Sequence, residues 1–102
     1  MASRLELHEE LCELLESRHV YFQPPESVKL VYPCIVYGLS GIDQLKANDR
    51  SYKTNKRYDV TIIDYDPDSE LPDKILDRFV NCSFDRSFVS DNLNHWVFTL
   101  YY

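Results

Sequence analysis

Four carboxylates at alternate positions are the first candidate for chemistry in this sequence. They directly follow an apolar run and comprise Asp64, Asp66, Asp68 and Glu70. Carboxylates at this spacing could bind calcium, or they could act in phosphoryl transfer, with Asp64 as the nucleophile and Asp66 as the acid. They could equally mark the place where a strand ends and a helix begins.

The neighbouring residues favour the structural interpretation. A calcium loop of the EF-hand type requires a glycine where the chain has Ser69 and a glutamate where it has Ile75. A phosphotransfer site would need further motif residues and a much larger α/β domain. In contrast, Asp66 and the proline after it suit a turn, Asp68 or Ser69 suits a helix cap, and Glu70 suits the positive end of a helix. We therefore predict no catalytic residue, no metal site and no cofactor.

Histidine and cysteine residues show no spacing typical of a metal or nucleophilic site. The chain has three of each, namely His8, His19, His95, Cys12, Cys34 and Cys82. An odd number of widely separated cysteines does not form a disulfide framework, and no Cys-x-x-Cys or Cys/His pattern suggests zinc. We expect reduced thiols in a cytoplasm-like compartment. Two glycines in the whole chain exclude a glycine-rich phosphate loop.

The length and the net charge of the chain limit the classes of function that it can have. A chain of 102 residues suits one domain, residues 1–102. The net charge of −6 argues against a basic nucleic-acid footprint and against binding to an anionic membrane surface. No apolar run approaches the roughly 18 residues of a membrane span, and no signal peptide is expected at the start.

The pattern of apolar residues predicts two helices and four strands. The predicted helices cover about residues 3–18, with Ser3 and Glu6 as a capping box, and about 69–79. The predicted strands cover residues 31–37, 51–65, 82–88 and 93–102, and a long polar loop covers about 38–52. Pro33 indicates an edge strand or a strand beginning, and residues 89–92 are a turn by composition. The predicted buried stripes are Leu7, Leu11, Leu14 and Leu15 in the first helix and Leu71, Ile75 and Phe79 in the second. The order α-β-loop-β-α-β-β indicates an α+β fold, in which two helices pack on a small antiparallel or mixed four-stranded sheet.

The last strand is apolar on both faces, which suggests an interface. One face carries Trp96, Phe98, Leu100 and Tyr102, and the other includes His95 and Val97. Two short helices can cover only one face of a small sheet, so the second face would expose aromatic side chains unless a partner or the central loop covers it. We predict His95, Trp96, Phe98 and Tyr102 as interface candidates. Lys53, in a basic segment, could contact an acidic partner or could lie on a solvated strand face.

Three segments of the sequence resemble a group of small tailed-phage proteins. They are residues 32–37, residues 56–74, which read KRYDVTIIDYDPDSELPDK, and residues 82–102, which contain FDR, SDNLNH and a final YY. The group looks like the tail completion, or tail terminator, proteins of long-tailed phages. The resemblance covers most of residues 31–102, and the last segment is its most specific part.

The resemblance implies a structural virion protein that is not an enzyme. Such a protein assembles in the host cytoplasm into a ring, commonly of six subunits, at the head-proximal end of the tail. Its partners would be its own copies, the tail tube protein and the head–tail connector protein, and DNA would pass through the lumen without specific binding. Loops of such rings face the tube or the lumen, which adds these interface candidates: Gly41, Lys46, Asn48, Arg50 and Tyr52.

Two other interpretations stay open. A head-completion or connector-adaptor protein of the phage neck belongs to the same class, and the short chain leaves room for it. A small regulatory or ligand-binding α+β domain belongs to a different class and would require a concave pocket with convergent polar groups. An enzyme, which would show perturbed titratable residues in a cleft, ranks third.

Overall fold

The fold is α+β, with two helices and a five-stranded mixed sheet. The structure is a computed structural model that describes residues 4–47 and 50–102, with side chains for residues 4–42 and 56–102. The elements in chain order are α1 (Arg4–Leu15), β1 (Val20–Phe22), β2 (Cys34–Ala47), β3 (Arg50–Asp64), α2 (Leu71–Arg78), β4 (Cys82–Ser90) and β5 (Leu93–Tyr101). The sheet order is β1-β2-β3-β5-β4, with β1 parallel to β2 and every other pair antiparallel.

Both helices pack on one face of the sheet and form the main core. The predicted stripes of the helices are buried, since Leu7 and Leu11 of α1 and Ile75 of α2 are fully buried. They meet the alternate residues of the sheet that face them, which include Ile35, Tyr37, Tyr58, Val60, Ile62, Phe98 and Leu100. The apolar spacing of each helix therefore predicts its buried side correctly.

Helix α1 ends three residues earlier than predicted, because the chain forms a left-handed cap. Glu16 has a φ of 61°, its N–H donates to the carbonyl of Glu13, and the N–H of Ser17 donates to the carbonyl of Cys12. This pair of hydrogen bonds is the Schellman arrangement that closes many helices. The short strand β1 then follows where the prediction had only a helix end. The predicted N-cap Ser3 lies outside the described residues.

A smaller apolar cluster covers one end of the opposite face of the sheet. Its buried members are Cys34, Ile63 and Leu93, and partly buried residues that pack on it include Leu30 and Tyr32. Those two residues belong to the connection between β1 and β2. Part of the second face is therefore covered by this connection, and not by the central segment that we considered for that role. Pro33 directly precedes β2, as predicted for a strand beginning.

The predicted polar loop of residues 38–52 is wrong, because β2 and β3 pair as far as Ala47↔Arg50. Polar residues hide the strands here, because this segment lacks the apolar alternation from which a strand is predicted. The two glycines also suggest a loop, yet neither has a positive φ. They serve close packing: a Cβ at Gly38 would lie 3.2 Å from Gln23 Cγ, and one at Gly41 would lie 2.5 Å from Arg57 Nη2.

A two-residue turn joins β4 to β5. Asp91 and Asn92 have φ values of 53° and 63°, as expected for the tight turn that matches the twist of a hairpin. The turn was predicted to begin at Val89, which instead lies in β4 opposite Asn94. This hairpin places β4 at the edge of the sheet.

Candidate assembly surface

The β2–β3 pair extends well beyond the rest of the sheet. Strand β1 pairs with β2 only as far as Phe22↔Tyr37, and β5 reaches β3 only as far as Arg57↔Tyr101. We call residues 40–57 the arm and the rest of the chain the body. Among the described residues, the strands of the arm pair only with each other beyond its base. The 15 residues of β3 at about 3.3 Å each account for the 51 Å long axis of the molecule.

The base of the arm is fixed by contacts between Ser40 and Arg57. Ser40 Oγ donates to the Arg57 carbonyl at 3.0 Å, and Arg57 Nε donates back to Ser40 Oγ at 3.3 Å. Gly41, a predicted interface residue, leaves the room that the guanidinium of Arg57 occupies. Just beyond, Ile42 is about half exposed, at 53%. Side-chain hydrogen bonds therefore link the two strands at the base, where the ribbon begins to project.

The arm and the body carry net charges of opposite sign. The arm contains five basic and two acidic residues, a net of +3, whereas the body contains six basic and fifteen acidic residues, a net of −9. Within the arm, residues 50–57 carry four basic residues and no acidic one. The overall charge of −6 conceals this separation.

The predicted arm residues occupy positions along this ribbon. Lys46 lies opposite Tyr52, Arg50 lies opposite Ala47, and Lys53 lies opposite Leu45 in the β2–β3 register. Asn48 lies outside the described residues. Together with Gly41 at the base, the structure therefore gathers five of the predicted interface residues on one projecting element, although that element is a strand pair and not a loop.

The predicted exposed face of β5 is wrong, because the helices cover it. Phe98 is fully buried in the main core, and Trp96 and Tyr102 pack against the same core. The Tyr102 hydroxyl donates to the Glu10 carboxylate, and this hydrogen bond raises the pKa of Tyr102 to about 12. Alternation identifies two apolar faces, but it cannot decide which face the helices cover. Phe98 is therefore withdrawn as an interface residue.

The open face of β5 carries the remaining candidate, His95. Its ring stacks on Phe88 of β4, with centroids 4.6 Å apart and planes at 11°, and its Nδ1 donates to the Leu93 carbonyl at 3.1 Å. Both contacts lie within the chain, so they fix the orientation of the His95 ring. Sequence analysis missed Phe88 as its partner, because the pairing depends on the register of the β4–β5 hairpin.

Strand β4 is a second exposed apolar element at the sheet edge. Phe84, Phe88 and Val89 are 51%, 43% and 70% exposed, and sequence analysis did not select them. The edge also has features that oppose pairing with another strand. A register shift lies between Phe84 and Arg86, and Arg86 forms an exposed ion pair with Asp85 at 2.8 Å. Bulges and charges of this kind protect sheet edges from association.

The four carboxylates after β3 form a turn, in agreement with the structural interpretation. Asp64 Oδ1 accepts the N–H of Asp66 at 3.2 Å, and Asp66 Oδ1 accepts the N–H of Asp68 at 2.9 Å. Ser69 Oγ accepts the N–H of Leu71, the first residue of α2. The predicted cap at Asp68 or Ser69 is nevertheless wrong, because the helix begins later and its N-cap is Glu70, which makes no side-chain cap hydrogen bond. A surface depression of about 430 Å³ lies beside them. Among residues with described side chains, no group of three or more histidine, cysteine or acidic residues is arranged to hold a metal ion.

The titratable groups with shifted pKa values are structural. Burial lowers the pKa of His8, whose Nδ1 lies 2.8 Å from the hydroxyl of Tyr37, and burial raises the pKa of Tyr37. Burial also raises the pKa values of Cys34 and Cys82 to about 11, which makes both thiols poor nucleophiles. No charged side chain is buried in the part of the chain that the structure describes.

Two further findings concern the class of protein. Neither of the described helices is long and apolar enough to cross a membrane. No protein family matches the chain, and no curated protein matches its sequence at a significant level.

Proposed function

We propose that this protein is a structural component of a long-tailed phage virion, a tail terminator that forms a ring at the head-proximal end of the tail tube. In this role it stops tube growth and presents a surface to the head connector. It acts without a cofactor and without catalysis, and DNA passes through its lumen without specific binding. Assembly takes place in the host cytoplasm, before the tail joins the head.

The projecting arm is the observation that carries this proposal. A body with its own core and a ribbon that extends beyond it are typical of subunits that contact their neighbours through extended elements. The resemblance in residues 56–74 and 82–102 supports the same class. Residues 56–64 of the first segment lie in β3, which joins the arm to the body.

A ligand-binding domain receives less support from the surface. Depressions of about 460 and 500 Å³ flank α2, and their linings include Arg78 in both cases and Glu13, Lys74 and Asp77 in the second. Arg78 already pairs with Glu10 at 3.3 Å and with Glu13 at 2.8 Å. These polar groups bind one another across the surface and do not converge on a shared ligand position.

The test is the mass and shape of the full chain in solution. Light scattering over a wide concentration range, with electron microscopy of the same samples, should show a discrete closed ring close to six times the 12.1 kDa of one chain. A closed dimer, or open filaments without rings, would contradict the terminator.

A second measurement separates the terminator from the neck adaptor. The protein is added to growing tubes of the cognate tail tube protein, and the tube ends are imaged. A terminator should occupy one end of each tube and fix the tube length. An adaptor should leave tube growth unchanged and bind the isolated connector instead.

A further inference from the structure

The arm lacks the support that a two-stranded ribbon normally needs. An isolated hairpin is marginally stable at best in water, and a third strand or a packed helix is required for independent stability. The N–H of Tyr102 still donates to the Lys56 carbonyl at 3.0 Å, but from Asp43↔Asn55 outward the described strands of the arm have no third strand beside them. Ile42 and Leu39 at the base expose apolar surface, at 53% and 42%. A partner that packs on this ribbon would bury the side chains of Leu39 and Ile42. It would also supply hydrogen-bond partners for the unpaired backbone groups at the open strand edges.

The charge of the arm selects the kind of partner. Its net charge of +3 complements an acidic protein surface, and the body of every copy supplies one with a net charge of −9. Opposite charges on two surfaces favour their encounter and fix their relative orientation. The complementary surface is present at the same concentration as the arm, since both belong to one chain.

The geometry makes this contact intermolecular. The arm continues one end of β3, whereas the acidic turn of residues 64–70 follows the other end of the same strand. Because β3 spans nearly the whole 51 Å axis, an arm that follows the strand direction points away from its own body. A contact between the arm of one copy and the body of the next is head-to-tail, and head-to-tail contacts generate rings or filaments.

We propose that the paired strands of the arm, residues 40–47 and 50–57, dock on the acidic body of a second copy of this chain. The contact is heterologous and electrostatic, with the exposed apolar base of the arm at its centre. This inference supplies the subunit contact of the proposed ring and to that extent rests on the proposed function. The protected edge of β4 is not the assembling element, because its bulge and its charged pair oppose strand addition.

The experiment compares charge reversals in the arm and in the body. Lys53→Glu with Lys56→Glu reverses two charges in the arm, and Lys29→Glu with Lys74→Glu makes the same change in the body. Lys56 and Lys29 are exposed, and Lys74 forms only a long ion pair of 3.8 Å with Glu16. Sedimentation velocity of each full-length variant, at low and at high salt, gives the dissociation constant of the assembly. Circular dichroism verifies that each variant is folded.

We expect the arm variant to weaken assembly at least tenfold, and the body variant, which makes the acidic body more acidic, to leave assembly unchanged or to strengthen it. Wild-type assembly should also weaken as salt screens the contact. Equal effects of the two variants would overturn the proposal while leaving a ring intact. A strict monomer at low salt and high concentration would overturn it as well. An arm-dependent assembly that forms filaments without rings would support the docking contact and contradict the terminator.

A nucleic acid is the competing partner for a basic arm. A mobility-shift assay with a random double-stranded DNA fragment tests it on the same proteins. The acidic body should repel DNA, so we expect no shift at physiological salt. Binding of DNA that is lost in the arm variant but kept in the body variant would assign the arm to DNA and overturn the proposal.

Discussion

Body and arm differ in how their strands are stabilised. In the body, β3 lies between β2 and β5, and its residues Val60 and Ile62 are fully buried beneath the helices. In the arm, the same strand continues with β2 as its one described strand neighbour. One continuous strand thus passes from a region that is paired on both sides and buried to a region that is paired on one side.

This difference separates folding from assembly within one chain. Substitutions in the body should change the free energy of unfolding and affect assembly only through it. Substitutions in the arm should do the reverse, because the described strands of the arm are paired on one side only. The three predictions below test the body side of the comparison, from the largest expected effect to the smallest.

Replacement of Phe98 should have the largest effect. Phe98→Ala removes a fully buried ring from the main core and should lower the free energy of unfolding by about 3–5 kcal/mol. Phe84→Ala is the matched control, since Phe84 contacts Phe98 edge-on at a centroid distance of 5.6 Å but is half exposed. That variant should lose about 1 kcal/mol. Urea denaturation measures both, and equal losses would contradict the assignment of Phe98 to the core.

The left-handed cap of α1 should give a smaller effect of opposite sign. Glu16→Gly relieves a non-glycine residue at a φ of 61° and should raise the free energy of unfolding by about 0.5–1 kcal/mol. The exposed ion pair with Lys74 that it removes contributes little. Glu9→Gly, in the helix interior, should lower it by about 1 kcal/mol. A loss of stability in both variants would show that α1 does not end in this cap.

Protonation of His8 should give the smallest effect. Because burial holds its pKa below 6.5 in the folded chain, the unfolded chain takes up this proton first as the pH falls. The contribution of neutral His8 to the free energy of unfolding is therefore complete above pH 6.5. It is lost as the pH falls through the lower pKa that His8 has in the folded chain. His8→Gln should remove this part of the pH dependence, and His19→Gln should keep it. Urea titrations of the wild type and of both variants between pH 7.5 and pH 5.5 measure this pH dependence. The same pH dependence in the wild type and in both variants would contradict its assignment to His8.

Much of the body could be predicted from the sequence, because burial on one side imposes a period. The spacing of Leu7, Leu11 and Ile75 identified the buried sides of both helices, and the alternation of Val60 and Ile62 identified the central strand. The class of fold followed from these elements. Strand β1 was missed because three residues are too few to show any period.

The candidate surface was harder to predict, because exposure imposes no period. The arm resembles a loop in sequence, since most of its residues are polar. Its basic residues were noticed, but the contrast with the body appears only when the strand register separates the two regions. Trp96 and Phe98 were predicted to lie on the exposed face of β5, but they lie on the face that the helices cover. Both faces of this strand are apolar, so only the packing of the helices shows which face is buried.

Amide hydrogen exchange on the full chain tests the division into body and arm most directly. It is measured under two conditions, dilute protein at high salt and concentrated protein at low salt. We predict slow exchange for residues 58–63 under both conditions, and exchange in residues 41–47 and 50–56 that slows at least tenfold only in the concentrated sample. Equal protection of the arm under both conditions, in a sample that has assembled, would contradict the claim that the arm is the element that docks on a neighbouring copy.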